Sequence, residues 1–131
     1  MDDRDRLLET LLDITGPYGF NEVISCAIKF FFKNPYESAI IVDKNMRVQF
    51  MDKISEEFFG LQRGEAKGMD IRELVPVSGL PPTVETGIPI IGRILDVRGK
   101  RSIGAAYPLK QNGEIVGGMG KIILQSLEEV E

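Results

Sequence analysis

Residues 38–61 read SAIIVDKNMRVQFMDKISEEFFGL. The segment opens with an apolar run, rich in β-branched residues, that ends at Asp43. The polar residues Lys44 and Asn45 follow and favour a turn, and residues 48–51 form a second apolar run. Two such runs around a polar break predict a β-hairpin.

The period of the apolar residues changes directly after this hairpin. Ile54, Phe58 and Leu61 recur at helical spacing. Asp52 can cap the first turn, and Gly60 can end the helix. The segment therefore predicts strand, turn, strand and short helix in that order.

Composition limits the functions that the chain can have. Its 131 residues predict one domain, and its net charge of −4 argues against a nucleic-acid surface, which needs clustered Lys and Arg. No apolar run reaches the length of a membrane span, and a single Cys26 suits a reducing cytoplasm. The chain has no histidine, which excludes histidine-ligated haem and Ser/His or Cys/His nucleophile pairs. We therefore expect a cytoplasmic protein that is not an enzyme, does not bind nucleic acid directly and does not enter a membrane.

Two amphipathic helices are predicted before the hairpin, over residues 3–14 and 21–33, with Asn21 as the cap of the second. Their apolar stripes can cover the sheet of the same subunit or pack against a second copy of the chain. The candidate residues for a dimer interface are Leu7, Leu8, Leu11, Leu12, Ile24, Ile28 and Phe31. Cys26 is interpreted as a small buried apolar residue in the second helix.

The remainder of the chain alternates between short helices and strands. Residues 62–87 predict short helical pieces, with Gly87 as a stop signal, and three strands follow at 90–97, 101–109 and 115–124. Asn112 and Gly113 predict a type I′ turn. Five strands joined by hairpins and a helical segment predict an α+β fold with an antiparallel sheet and helices on one face.

The order of these elements resembles that of a PAS domain. The helix of that family begins N-x-A-x-x-x-x-x-G, and residues 52–60 match it in spacing, although Asp52 replaces Asn and Ile54 replaces Ala. The resemblance implies a strand order of 2-1-5-4-3 and a ligand cavity walled by the segment 54–86. The flavin light sensors of this fold carry a reactive cysteine after the hairpin, whereas Cys26 precedes it, so that subtype does not match.

Residues 68–92 show a more specific resemblance, to the PAS domains of bacterial sigma-54-dependent transcriptional activators. The matching runs are GMDIRELVP at 68–76, LP at 80–81 and ETGIPIIG at 85–92. The subfamily often has Asn-Ser-Arg-Leu-Pro where this chain has VSGLP, so a basic side chain is missing at Gly79. In PAS domains an Asp-Ile-Thr triplet usually follows the last strand and couples the core to the outgoing helix. This chain has QSL at 125–127, which implies a different coupling of the core to the output domain.

The candidate ligand pocket lies between the sheet and the segment 54–86. Its predicted lining is Phe50, Phe58, Leu61, Ile71, Leu74, Val84, Ile94, Ala105, Met119 and Ile122. Each of these apolar residues can equally serve as core. Arg93, Ser102 and Tyr107 lie on strands, either as polar anchors for a ligand or as solvated and cross-strand paired residues. The ligand is not identified, and no metal site or catalytic group is predicted.

The sequence thus predicts N-terminal flanking helices at 1–34, a PAS core at 35–124 and the start of an outgoing helix at 125–131 that continues past Glu131. The predicted function is sensory: a homodimeric regulatory module of a sigma-54-dependent regulator, which senses a small ligand or partner. One alternative is a ligand-free dimerisation or protein-interaction domain whose own aromatic residues fill the cavity. Another is the input domain of a histidine kinase.

Overall fold

The computed structural model of the protein describes residues 2–33, 37–76, 78–97 and 99–124. It comprises two compact units that divide between residues 33 and 34.

The first unit is helical. Its elements are α1 (Asp3–Thr15), a 3-10 turn (Gly16–Tyr18) and α2 (Glu22–Lys33). Asp2 caps α1, and Asn21 caps α2 by accepting a hydrogen bond of 2.9 Å from the backbone N–H of Ile24. The two helices predicted before the hairpin are confirmed. The interpretation of Cys26 as a buried residue is wrong, because its side chain is exposed on α2.

The second unit holds the sheet and three short helices. Its elements are β1 (Ser38–Asp43), β2 (Val48–Met51), α3 (Lys53–Phe58), α4 (Ile71–Leu74), α5 (Leu80–Thr86), β3 (Ile90–Val97), β4 (Lys100–Gln111) and β5 (Glu114–Leu124).

All five strands form one antiparallel sheet in the order β2-β1-β5-β4-β3. The predicted fold class and strand order are confirmed. The turn between β4 and β5 has φ of 53° at Asn112 and 81° at Gly113, the two positive values that a type I′ turn requires.

Asp52 joins the first hairpin to α3. Its Oδ1 accepts a hydrogen bond of 2.9 Å from the backbone N–H of Ser55, which caps the helix. Its Oδ2 accepts a second bond of 2.7 Å from the backbone N–H of Ala39 on β1. One buried carboxylate therefore satisfies donors on a helix and a strand at once.

The core lies between one face of the sheet and the three short helices. Alternate residues of β1, Ile40 and Val42, point into it and meet Ile71, Leu80 and Val84 from α4 and α5. The turn after β1 also contributes Met46, which is buried although its φ of 66° is unusual for a residue with a side chain.

Glu56 of α3 links this helix to the loop that follows it. It is buried, with 3% of its surface exposed. Its Oε1 accepts from the guanidinium of Arg63, and its Oε2 accepts a bond of 2.7 Å from the backbone N–H of Gly64. It therefore holds the loop after α3 in place.

Candidate functional site

A cavity of about 40 Å³ lies inside the second unit, between the sheet and the helices α4 and α5. A water molecule needs roughly 10–15 Å³ of such volume, so the space matches about three waters. The lining is mostly apolar: Ile40, Ile71, Val75, Ser78, Gly79, Leu80, Ile90, Arg93, Leu95, Gly104, Ala105, Ala106, Gly120, Lys121 and Ile122.

Small residues on the sheet set the depth of this cavity. A Cβ on Gly118 would lie 2.8 Å from Val84 Cγ2 and 3.1 Å from Leu80 Cδ2, so α5 packs directly on the backbone of β5 there. The lining residues that come from the sheet belong mainly to β3, β4 and β5, so the cavity lies over these three strands.

A β-bulge in β3 determines which of its side chains face the cavity. Ile90 pairs with Ala106 and Arg93 pairs with Gly104, and the register shifts between them around Gly92, whose φ is 77°. Side chains three residues apart in a regular strand point to opposite faces, but the extra residue returns Arg93 to the face of Ile90. Arg93 therefore lines the cavity together with Ile90.

A charged pair fixes the start of α4, which supplies Ile71 to the cavity. Asp70 caps this helix, and its two oxygens accept bonds of 2.9 and 2.5 Å from Nε and Nη2 of Arg72. These side-chain hydrogen bonds, with one from the backbone N–H of Arg72, hold the pKa of the Asp70 carboxyl well below its usual range. The same contact raises the pKa of Arg72.

The structure brings some of the predicted pocket residues to the cavity and not others. Those that line it are Ile71, Ala105 and Ile122. Those in the adjoining core, without lining the cavity, are Phe58, Leu61, Leu74 and Val84.

The other three predicted residues lie on the opposite face of the sheet. Ile94 follows Arg93, so it points away from the cavity and is 57% exposed. Met119 lies between Gly118 and Gly120, both of which face α5, and is turned away for the same reason. Phe50 pairs with Ile41, which alternates with the core residues of β1.

Sequence reasoning missed Val75, Ser78, Leu80 and Leu95 as lining residues, and it left the orientation of Arg93 open. Gly92 could have indicated the orientation of the Arg93 side chain, because an isolated glycine inside a strand often marks a bulge. A bulge shifts by one residue the alternation of side chains between the two faces of the sheet. Residues 93 and 95 therefore face the cavity, where residue 94 was predicted to lie.

The residues proposed for a dimer interface lie on helices whose apolar side chains remain largely open. Leu8 is 57% exposed and Phe31 is 71% exposed. Leu7 and Leu12 are also exposed, whereas Leu11, Ile24 and Ile28 are half-buried. Within the first unit itself these side chains therefore lack a complete apolar covering.

Two classes of site have no counterpart in the described part of the chain. Residues 2–33, 37–76, 78–97 and 99–124 contain no cluster of three or more His, Cys, Asp or Glu side chains that could hold a metal ion. Among the same residues, no helix has the length and apolar character needed to cross a bilayer.

Comparison with known proteins gives relatives of low identity. No protein-family model matches the chain. A curated protein of Halalkalibacterium halodurans named "Probable C4-dicarboxylate sensor kinase" is 24% identical over 100 residues, which cover 76% of this chain and 18% of that protein. The chain thus spans less than a fifth of this relative's length.

Solved structures resemble the fold more clearly. The PAS domain of the histidine kinase ThkA superposes with a TM-score of 0.57 at 19% identity, covering 66% of this chain and 97% of that domain. The ligand–DNA complex of VqmA from Vibrio cholerae gives a TM-score of 0.59 at 17% identity, covering 81% of this chain and 51% of VqmA. The chain has the PAS fold.

Proposed function

We propose that the chain is the sensory PAS module of a bacterial signal-transduction protein, working in the cytoplasm without catalytic activity of its own. The observation that carries this proposal is the cavity between the sheet and helices α4 and α5. Its lining, apolar with a few polar groups, is of the kind that binds small molecules, and its volume of about 40 Å³ restricts it to a very small ligand.

The cavity supports this proposal over the alternative of a ligand-free interaction domain. That alternative requires the chain's own aromatic residues to fill the space. Phe58 and Phe59 instead pack edge to face, with ring centroids 5.2 Å apart, in the core beside α3. Among the described residues, none of those that line the cavity is aromatic.

A ligand in this position would act on the contact between α5 and β5. Leu80 lines the cavity and also packs on Gly118 and Gly120 of β5. Occupancy that displaces Leu80 would therefore shift β5, and the change would pass to the chain that follows this strand. Such a switch requires that the ligand bind the two arrangements with different affinities.

The proposed output domain is that of a sigma-54-type transcription activator, because the motifs in residues 68–92 resemble those of such proteins. The input module of a histidine kinase is the second candidate, favoured by the sensor kinase that is 24% identical and by the ThkA domain. Radiolabelled ATP separates these outputs in the full-length protein. A histidine kinase would label itself with acid-labile phosphate, whereas an activator ATPase would release phosphate without becoming labelled.

We also propose that the module forms a homodimer through α1 and α2. Leu8 and Phe31 are more than half exposed, and a second copy would bury them without any change in the core.

A thermal-shift screen tests the ligand proposal. A small molecule that binds the cavity should raise the Tm, because a ligand specific for the folded state stabilises it by mass action. Val75→Leu adds a methylene to a buried lining residue and should remove the effect. Val116→Leu makes the same change at an exposed position of β5 and should preserve it. A hit that shifts the Tm of both variants equally would place the ligand outside the cavity.

A further inference from the structure

Arg93 lies at the open, polar side of the cavity, because it contributes to the lining and is itself exposed to solvent. The guanidinium Nη1 stands 3.6 Å from the point that a Cβ on Gly79 would occupy. The bulge at Gly92 places Arg93 on the cavity face of the sheet, where its guanidinium lies beside the start of α5.

Arg93 has no anionic partner among the described residues. The other cation in the lining, Lys121, is already engaged, since its Nζ lies 2.9 Å from Oε2 of Glu37. Ser78 is engaged as well, because its Oγ accepts a bond of 3.0 Å from the backbone N–H of Leu80. Arg93 is therefore the lining group with free capacity to bind an anion within the described chain.

We propose that the ligand is a small monocarboxylate, an inference that rests on the sensory function proposed above and specifies its ligand class. A guanidinium binds a carboxylate through two parallel hydrogen bonds and keeps its charge at any physiological pH. The hydrocarbon end of the ligand would lie among Ile71, Val75 and Ile122.

The volume and charge of the cavity restrict this ligand further. About 40 Å³ accommodates a short chain and not a ring system. A second carboxylate would lie among apolar side chains without a cation, and burying an unpaired charge is strongly unfavourable. Dicarboxylates of similar length should therefore bind worse than monocarboxylates.

Isothermal titration of the purified chain with propionate, propionamide and succinate tests this inference. Propionate should bind, and the neutral isostere propionamide should bind at least about tenfold more weakly because it cannot form the charge-assisted pair. Arg93→Gln should weaken propionate binding by a similar factor, while Arg93→Lys should retain part of it. Arg101→Gln, at an exposed position of β4 outside the lining, is the matched control and should bind like the unaltered protein.

The outcomes separate this inference from the function on which it rests. Equal binding of propionate and propionamide, or propionate binding unchanged in Arg93→Gln, would overturn the carboxylate assignment. If propionamide still bound the parent chain and not Val75→Leu, the cavity would remain a ligand site. If none of the three probes bound, the carboxylate assignment would fail, and a thermal-shift screen without a hit would remove the sensory proposal too. Amide NMR spectra of each variant verify that a loss of binding is not a loss of folding.

Discussion

Gly92 shows how one residue changes the chemistry of a site. Its positive φ permits the bulge that places Arg93, and not Ile94, on the cavity side of β3. A regular strand would have lined this wall with isoleucine. The position of Arg93 in the cavity lining therefore depends on a backbone irregularity.

Gly118 should tolerate no side chain. Its Cβ would lie 2.8 Å from Val84 Cγ2, so Gly118→Ala must move α5 and should lower the free energy of unfolding by about 1–3 kcal/mol. Gly79→Ala is the matched control, since its φ is −79° and the nearest atom to its Cβ would be 3.4 Å away. Urea unfolding measures both variants. Equal stability of the two would contradict the direct packing of α5 on β5.

At the scale of elements, short helices depend on their first residues. The helices α3 and α4 are too short to be stable alone, and each begins at a buried aspartate, Asp52 or Asp70. Asp52 also binds β1, whereas Asp70 binds the guanidinium of Arg72. Both carboxylates therefore position walls of the core and not only the ends of helices.

The contribution of Asp70 should depend on pH in a defined direction. Its pKa is lower in the folded state than in the unfolded state, because Arg72 binds the ionised form. The stabilisation is therefore complete above the unfolded pKa of about 3.9 and is lost as the pH falls through the folded value. Asp70→Asn should be less stable than the parent chain at pH 7, and the gap should shrink below about pH 3.9.

Urea unfolding at pH 7 and at about pH 3 measures this gap. Glu57→Gln is the control, because Glu57 meets Lys53 only at 3.9 Å on the exposed surface and should change stability little at either pH. A gap for Asp70→Asn that stayed the same at both pH values would show that the carboxylate charge contributes nothing.

Local signals in the sequence were sufficient for most element boundaries. Residues 48–51, the caps at Asn21 and Asp52 and the stop at Gly87 were predicted because each depends on neighbours within a few residues. The orientation of Arg93 required the bulge, which is a property of the pairing between β3 and β4. The burial of Glu56 likewise depends on its contacts with Arg63 and Gly64 in the loop after α3. The periodicity of apolar residues along the chain does not predict these contacts.

For the whole molecule, the helical unit and the PAS core present different surfaces. The core buries an apolar cluster on one side of its sheet and leaves Ile91 and Ile94 exposed, whereas α1 and α2 expose leucine and phenylalanine side chains. A second copy of the chain is the proposed covering for these helices.

The purified chain should therefore have the mass of a dimer in light scattering. Leu8→Glu places a charge in the proposed interface and should shift the mass toward that of the monomer, because a buried unpaired carboxylate is costly. Arg6→Glu also alters charge on α1 but lies among the polar residues of that helix, and it should remain dimeric. A monomeric mass for the unaltered chain would contradict the interface.

Native and denaturing mass spectrometry of the freshly purified protein tests the sensory cavity most directly. We expect the native protein and the Val116→Leu control to carry a small added mass that disappears on denaturation. Val75→Leu, with its cavity partly filled, should carry less of it. An unliganded native protein, or the same added mass in Val75→Leu as in the parent chain, would contradict the claim that this cavity is the sensory site.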